Sequence, residues 1–239
     1  MTILKRIEIF GDSILKGIQI NPKNMRYQVD NHIDTSTISK KHDVIINNRS
    51  QFGATITQGI ASLQKHFNKG LECELLVMDF GGNDCDFNWQ EIAENPEKEH
   101  LPKTPLDVFV NSYKSTIKML KEKGIQPILT NLPPIDPQKF FDWFCKDLNK
   151  ENILKWLGSI SLIYRYQELY SRTVEKIAKE EGVLLVDLRR AFLKYMHLDN
   201  FLCIDGTHPN TKGQLLIASA FAEFADEHFP KKQILVPST

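Results

Sequence analysis

The chain has 239 residues with 30 basic and 30 acidic side chains, so its formal net charge is zero and no global field draws it to nucleic acid or to an anionic membrane. At 41% hydrophobic and 25% charged it has the composition of an ordinary globular protein rather than a disordered or membrane-spanning one. The start, MTILKRIEIFGDS, lacks a signal-peptide pattern, no segment is long and apolar enough to cross a bilayer, and the expected location is the cytoplasm. Cys73, Cys85, Cys145 and Cys203 are widely spaced, without CxxC or Cys/His metal patterns, and are expected as free thiols.

In chain order, the first apolar run is Arg6 to Phe10, followed by a second at Asp43 to Asn47 and a short helix from Ile56 to Phe67. A third run, Leu75 to Phe80, precedes a helix that Thr104-Pro105 opens and Gly124 stops, with Val110, Tyr113, Ile117 and Leu120 on one face. After the run Pro127 to Leu132, a helix from about Tyr166 to Glu181 keeps Tyr166, Leu169, Tyr170, Val174, Ile177 and Ala178 in period and ends at Gly182. The last run, Val183 to Leu188, is followed by a helix from about Asn210, predicted to turn Leu215, Ala218, Phe221, Ala222 and Ala225 inward before Pro230. Runs rich in Ile, Val and Leu with little polar alternation fit strands buried on both faces. Their alternation with helices predicts a parallel sheet in a three-layer α/β/α sandwich, with one domain over residues 1–239.

Two stretches exceed what simple connections need. Residues 85–103 are polar, and residues 133–161 carry Phe140, Phe141, Trp143, Phe144 and Trp156. Insertions at the strand-end rim of such sheets form binding loops or lids, and the second is expected to supply short helices that wall a substrate pocket with Phe140, Phe141, Trp143 and Phe144. The competing reading is that these aromatics only pack the insertion onto the body.

Chemistry-bearing residues cluster where strands end. GDSIL (Gly11 to Leu15) follows the first strand, SQFGAT the second and GGND (Gly81 to Asp84) the third, while DGTHPN (Asp205 to Asn210) precedes the last helix. In an open parallel sheet the loops beyond the carboxyl ends of the strands converge on one rim. An acyl-enzyme reaction needs a nucleophilic hydroxyl, a base, a group orienting the base, and oxyanion donors. Ser13, His208, Asp205 and the Asn83 amide supply one of each; the three-residue step from Asp205 to His208 lets carboxylate and imidazole meet across one turn. Read singly, Ser13 could be a helix cap, His208 a surface residue and Asn83 a turn residue. No G-x-S-x-G elbow, phosphate loop or dinucleotide fingerprint occurs, and the remaining six histidines and the Lys40-Lys41 and Lys231-Lys232 pairs show no ligand pattern, so no cofactor or metal is expected.

In this order, GDS, a lone glycine, GGND and DxxH resemble the conserved blocks of the SGNH hydrolases, the GDSL-like lipases and acylhydrolases. The resemblance runs from Gly11 to His208, with Ile14 standing where the family name has leucine. It implies a flavodoxin-like three-layer α/β/α sandwich with a five-stranded parallel sheet. Site roles are implied as well: Ser13 as nucleophile, His208 as base, Asp205 as its partner, and an oxyanion hole of Ser13, Gly53 and Asn83. The expected activity is hydrolysis of short-chain O-acyl esters, acetyl among them, on a small-molecule alcohol such as a carbohydrate. An acyltransferase, a thioesterase or lysophospholipase, and a non-catalytic binding module are the alternatives.

Overall fold

A computed structural model describes residues 5–30 and 36–229; His32 and the Lys231-Lys232 pair lie outside the described residues. Strand β1 (Lys5–Gly11) runs into the one-turn helix α1 (Ser13–Lys16), then into a hairpin of β2 (Ile18–Ile20) and β3 (Tyr27–Val29). Helix α2 (Ser36–His42) leads to β4 (Val44–Asn48), α3 (Ile56–Phe67) to β5 (Leu75–Asp79), and α4 (Trp89–Glu94) with α5 (Leu106–Glu122) to β6 (Gln126–Thr130). Then come α6 (Pro137–Phe144), α7 (Lys150–Leu157), α8 (Ser161–Glu181), β7 (Leu184–Val186), α9 (Leu188–Leu193) and α10 (Thr211–His228).

The five long-range strands pair in parallel in the order β4-β1-β5-β6-β7. Counting only these strands, the order is 2-1-3-4-5, the flavodoxin-like arrangement, in which chain direction across the sheet reverses between β1 and β5. The crevice beyond those two carboxyl ends is where such a sheet opens for a ligand. Gly11 stands opposite Asp79 at that point, and a Cβ on Gly11 would lie 2.9 Å from the Asp79 Cβ and 3.1 Å from the Ser50 hydroxyl.

Burial follows the period of two along the strands. On one face Phe10, Leu76, Met78 and Leu129 pack against Leu63 of α3, Tyr113 and Ile117 of α5 and Val174 of α8. On the other, Ile9, Leu75, Val77 and Ile128 meet Leu15, Phe192 and Ile217 of α1, α9 and α10. The two insertions pack on each other in a third cluster, with Phe87, Trp89 and Ile92 of the first against Phe141, Cys145 and Ile153 of the second. No helix among the described residues is long and apolar enough to cross a membrane.

Three local readings are corrected. Pro105 itself caps α5, and buried Thr104 instead hydrogen-bonds Asp84 through its backbone N–H at 3.0 Å. Helix α8 begins at Ser161, with Leu169 exposed on its outer side. On α10 the inward residues are Gly213, Gln214 and Ile217, followed by Phe221 and Phe224, whereas Leu215 is 57% exposed. The rotation is set at the first turn: a Cβ on Gly213 would fall 2.2 Å from the Phe201 carbonyl, so the helix lies close on that loop with Gly213 facing it.

Helix α3 opens on a capping box of Thr55 and Gln58 and packs so closely that a Cβ on Gly59 would sit 2.1 Å from the Phe80 ring. Gly59→Ala is therefore expected to cost about 1–3 kcal/mol through overpacking, seen as a lower urea midpoint at unchanged slope; an unaltered midpoint would show that Phe80 gives way freely.

Candidate active site

The serine turn is built by Asp12. Its Oδ1 accepts the Ile14 N–H at 2.8 Å, its carbonyl accepts the Lys16 N–H at 3.1 Å, and Gly17 at φ 76° closes the helix after one turn. Ser13 thus occupies the first helical position, where the backbone N–H has no intrahelical acceptor, and is 6% exposed. Across the crevice, Asp12 Oδ2 accepts the Asn83 amide at 3.1 Å, and the same amide donates to the Ala54 carbonyl at 3.2 Å. An oxyanion reaching Asn83 would have to share these two N–H groups.

The histidine loop is equally constrained. Leu202 bridges Pro209, Cys203 N–H donates to the His208 carbonyl at 2.7 Å, and Asn210 caps α10 by accepting the N–H groups of Lys212 and Gly213. Within it, Asp205 Oδ1 accepts the backbone N–H groups of Thr207 (3.2 Å) and His208 (3.1 Å). Gly206, at φ 71°, passes so near α6 that a Cβ would meet the Asp136 carbonyl at 2.5 Å, and Asp136 N–H donates to the Gly206 carbonyl at 2.8 Å.

These two loops bring the predicted residues together. His208 Nδ1 lies 2.5 Å from Asp205 Oδ2, and His208 Nε2 lies 2.9 Å from Ser13 Oγ. A carboxylate can only accept, so the imidazole proton sits on Nδ1 and leaves Nε2 to take the proton of Ser13. Ser13, Asn83 and His208 line one cavity of about 150 Å³, whose remaining wall is mostly apolar: Phe87, Trp89, Leu132, Ile135, Phe140 and Ile163 among others. Gly53, at φ 73°, lines a separate groove along α3 with Gln51 and Gln58; its neighbour Phe52 stacks on His208 at 6.0 Å.

Of the insertion aromatics, Phe140 lines the cavity. Phe141 is buried in the third cluster, Phe144 stacks on Trp89 at 4.2 Å, and Trp143 donates its indole N–H to the Tyr27 hydroxyl at 2.9 Å. Tyr27, which lies outside every motif of the sequence, also lines the cavity. The signal was present: alternating Ile18-Gln19-Ile20 and Tyr27-Gln28-Val29 flank an Asn-Pro turn, the pattern of a hairpin.

The profile of the family described as GDSL-like Lipase/Acylhydrolase matches residues 7–221. The chain belongs to this family. It is an ester-hydrolysing enzyme. No protein of curated function matches this acylhydrolase in sequence. Solved structures that share its fold include the lipase/acylhydrolase from Enterococcus faecalis, at 17% identity and a TM-score of 0.62, covering 94% of this chain and 96% of that one. A catalytic mutant of an acetylxylan esterase from Geobacillus stearothermophilus superposes at 19% identity and a TM-score of 0.63, covering 93% and 95% of the two chains.

The candidate site rests on buried carboxyl groups. Burial works against ionisation of Asp205, yet the hydrogen bond and charge of His208 with the N–H groups of His208 and Thr207 outweigh it and hold Asp205 below the usual carboxylate range. Asp12 is pushed well up by burial and then by the charge of Asp79, against the Ile14 N–H. Burial raises Asp79 to about 6, even though the Thr130 hydroxyl donates to it at 2.5 Å. Burial likewise lifts Asp84 to about 6 against the hydrogen bonds of Thr104 and the Ile56 N–H.

Because folding raises the Asp79 carboxyl to about 6, the folded chain binds more protons than the unfolded one between about pH 4 and 6, and this group lowers stability as pH rises through that window. Asp79→Asn removes the buried charge. It is expected to be more stable than the parent at pH 7 by about 3 kcal/mol, with the gain disappearing near pH 4, in denaturant titrations across pH. A gain independent of pH would show that ionisation of Asp79 is not its source.

Proposed function

We propose that Ser13 attacks the ester carbonyl while His208, oriented by Asp205, accepts its proton. The same imidazole then returns the proton to the leaving alcohol, and a water molecule, activated in turn by His208, frees the acyl group. The oxyanion would be held by the Ser13 N–H and the Asn83 amide, which both lie in the cavity, whereas Gly53 lines the neighbouring groove. One observation carries the reading: the unbroken contact Asp205–His208–Ser13, at 2.5 and 2.9 Å, opens directly onto an apolar cavity. Ser13→Ala is expected to abolish p-nitrophenyl ester hydrolysis and labelling by a fluorophosphonate probe without lowering the unfolding temperature; retained turnover would overturn the assignment.

The shape of the cavity supports a substrate class. A mostly apolar space of about 150 Å³ fits a group of about six carbons, so the acyl half would be a short apolar chain and the alcohol half would lie outside, towards Phe52 and the groove along α3. Each methylene buried contributes about 0.8 kcal/mol. Along a p-nitrophenyl series kcat/KM is expected to rise about three- to fourfold per methylene, to a maximum at about six carbons, and then to fall. A maximum at acetate, or faster turnover of acetylated xylan than of the butyrate ester, would take the acyl chain out of this cavity.

A further inference from the structure

Tyr27, on the hairpin strand β3, has no part in the chemistry described so far, yet it sits against the centre of it. Its ring lies 5.1 Å from the His208 ring and 5.1 Å from Phe52, so the three rings form a closed triangle. Its hydroxyl accepts the Trp143 indole N–H at 2.9 Å. An indole nitrogen can only donate, which commits the phenol oxygen as the acceptor and leaves the phenol proton to find a partner of its own. Asp205 Oδ2 stands 3.5 Å away.

That carboxylate offers about four lone-pair positions. The N–H groups of Thr207 and His208 and the His208 imidazole take three of them, and the Tyr27 hydroxyl is placed for the fourth. At 3.5 Å the contact is long for an O–H···O bond, as hydrogen bonds of resting active sites often are before charge develops. Asp205 has no exposed surface, so a lone pair left open there has no solvent to turn to. The charged and titratable groups facing Asp205 are His208 on its own loop, Tyr27 from β3 and the Cys203 thiol. Burial and then the Asp205 charge push the Tyr27 phenol up to about 12, so it keeps its proton at neutral pH.

We propose that Tyr27, held by Trp143, is a positioning residue for the Asp205–His208 pair. Its hydroxyl fills the carboxylate's fourth acceptor position and so fixes where the carboxylate points, and its ring fixes the plane of the imidazole. The inference rests on the reading of Ser13, His208 and Asp205 given above. Through it, helix α6 of the second insertion is coupled to the proton-transfer pair, so that Trp143 acts on the reaction by way of Tyr27 and not as a wall of the substrate cavity.

The test compares Tyr27→Phe, Trp143→Phe and the double variant on p-nitrophenyl butyrate, with Ser13→Ala as the control for the underlying reading. Tyr27→Phe is expected to lower kcat about tenfold because the imidazole is then held less well in line with Ser13, with KM within about twofold and the unfolding temperature unchanged. The acid limb of kcat/KM should move to higher pH, because the carboxylate left with one donor fewer holds the imidazolium more strongly, and the downfield proton resonance of the Asp205–His208 bond should shift. Trp143→Phe should reproduce these changes in the same direction, and the double variant should lose no more than Tyr27→Phe alone. A Tyr27→Phe enzyme with the parent's kcat, pH profile and bridging resonance would overturn the proposal, as would additive losses in the double variant. Turnover or labelling that survives Ser13→Ala would instead overturn the catalytic reading beneath it.

Discussion

The hydrogen bond between Ser13 and His208 joins residues 195 positions apart, and the architecture is arranged around keeping it. Ser13 must follow a central strand if it is to face a crevice and not an edge, which the order β4-β1-β5-β6-β7 provides. His208 must then be brought back over the same rim after every other strand has been laid down. Helix α10 does this by returning against the serine turn, where the Gln214 amide donates to the Ile14 carbonyl at 3.2 Å. The loop ahead of it is closed on itself by the Leu202–Pro209 bridge, so the imidazole is delivered from a rigid mount.

Asp12 links the remaining parts. One carboxylate oxygen shapes the serine turn and the other holds Asn83, so a single side chain sets the spacing between loops that follow β1 and β5. The arrangement places Asp12, Asp79 and Asp84 together with almost no exposure, and burial lifts all three above the usual carboxylate range. Stability is spent there for geometry: the site is held by groups whose ionised forms the interior disfavours.

The sheet, its order of loops and the meeting of Ser13, Asn83, Asp205 and His208 are legible in the sequence because each depends on short-range signals. Strands buried on both faces leave continuous apolar runs such as Leu75 to Phe80, and a parallel sheet sends the loops after them to one rim. What depends on packing between distant segments is not legible. The face of α10 is ambiguous because alanines lie around much of the helix, and only the contact of Gly213 with Phe201 settles it. The hairpin is marked in the sequence by its alternation and its Asn-Pro turn, but three residues per strand do not say what its face packs against. The neighbour of Tyr27, Trp143, arrives from 116 residues away. Likewise Phe141 and Phe144 look like pocket residues by composition, but the first insertion supplies Trp89 and Ile92 to cover them.

The close passage of Gly206 against Asp136 and Lys139 reaches beyond local geometry. It ties the segment bearing His208 to the segment that shapes the cavity, so a shift in one is carried to the other. A relative that exchanged its second insertion for one of another length would have to keep a residue without a side chain at this crossing, or reposition its histidine. The cavity wall is therefore free to vary through the side chains along α6 and α7, while the backbone entry into α6 stays under the same constraint as the loop of His208.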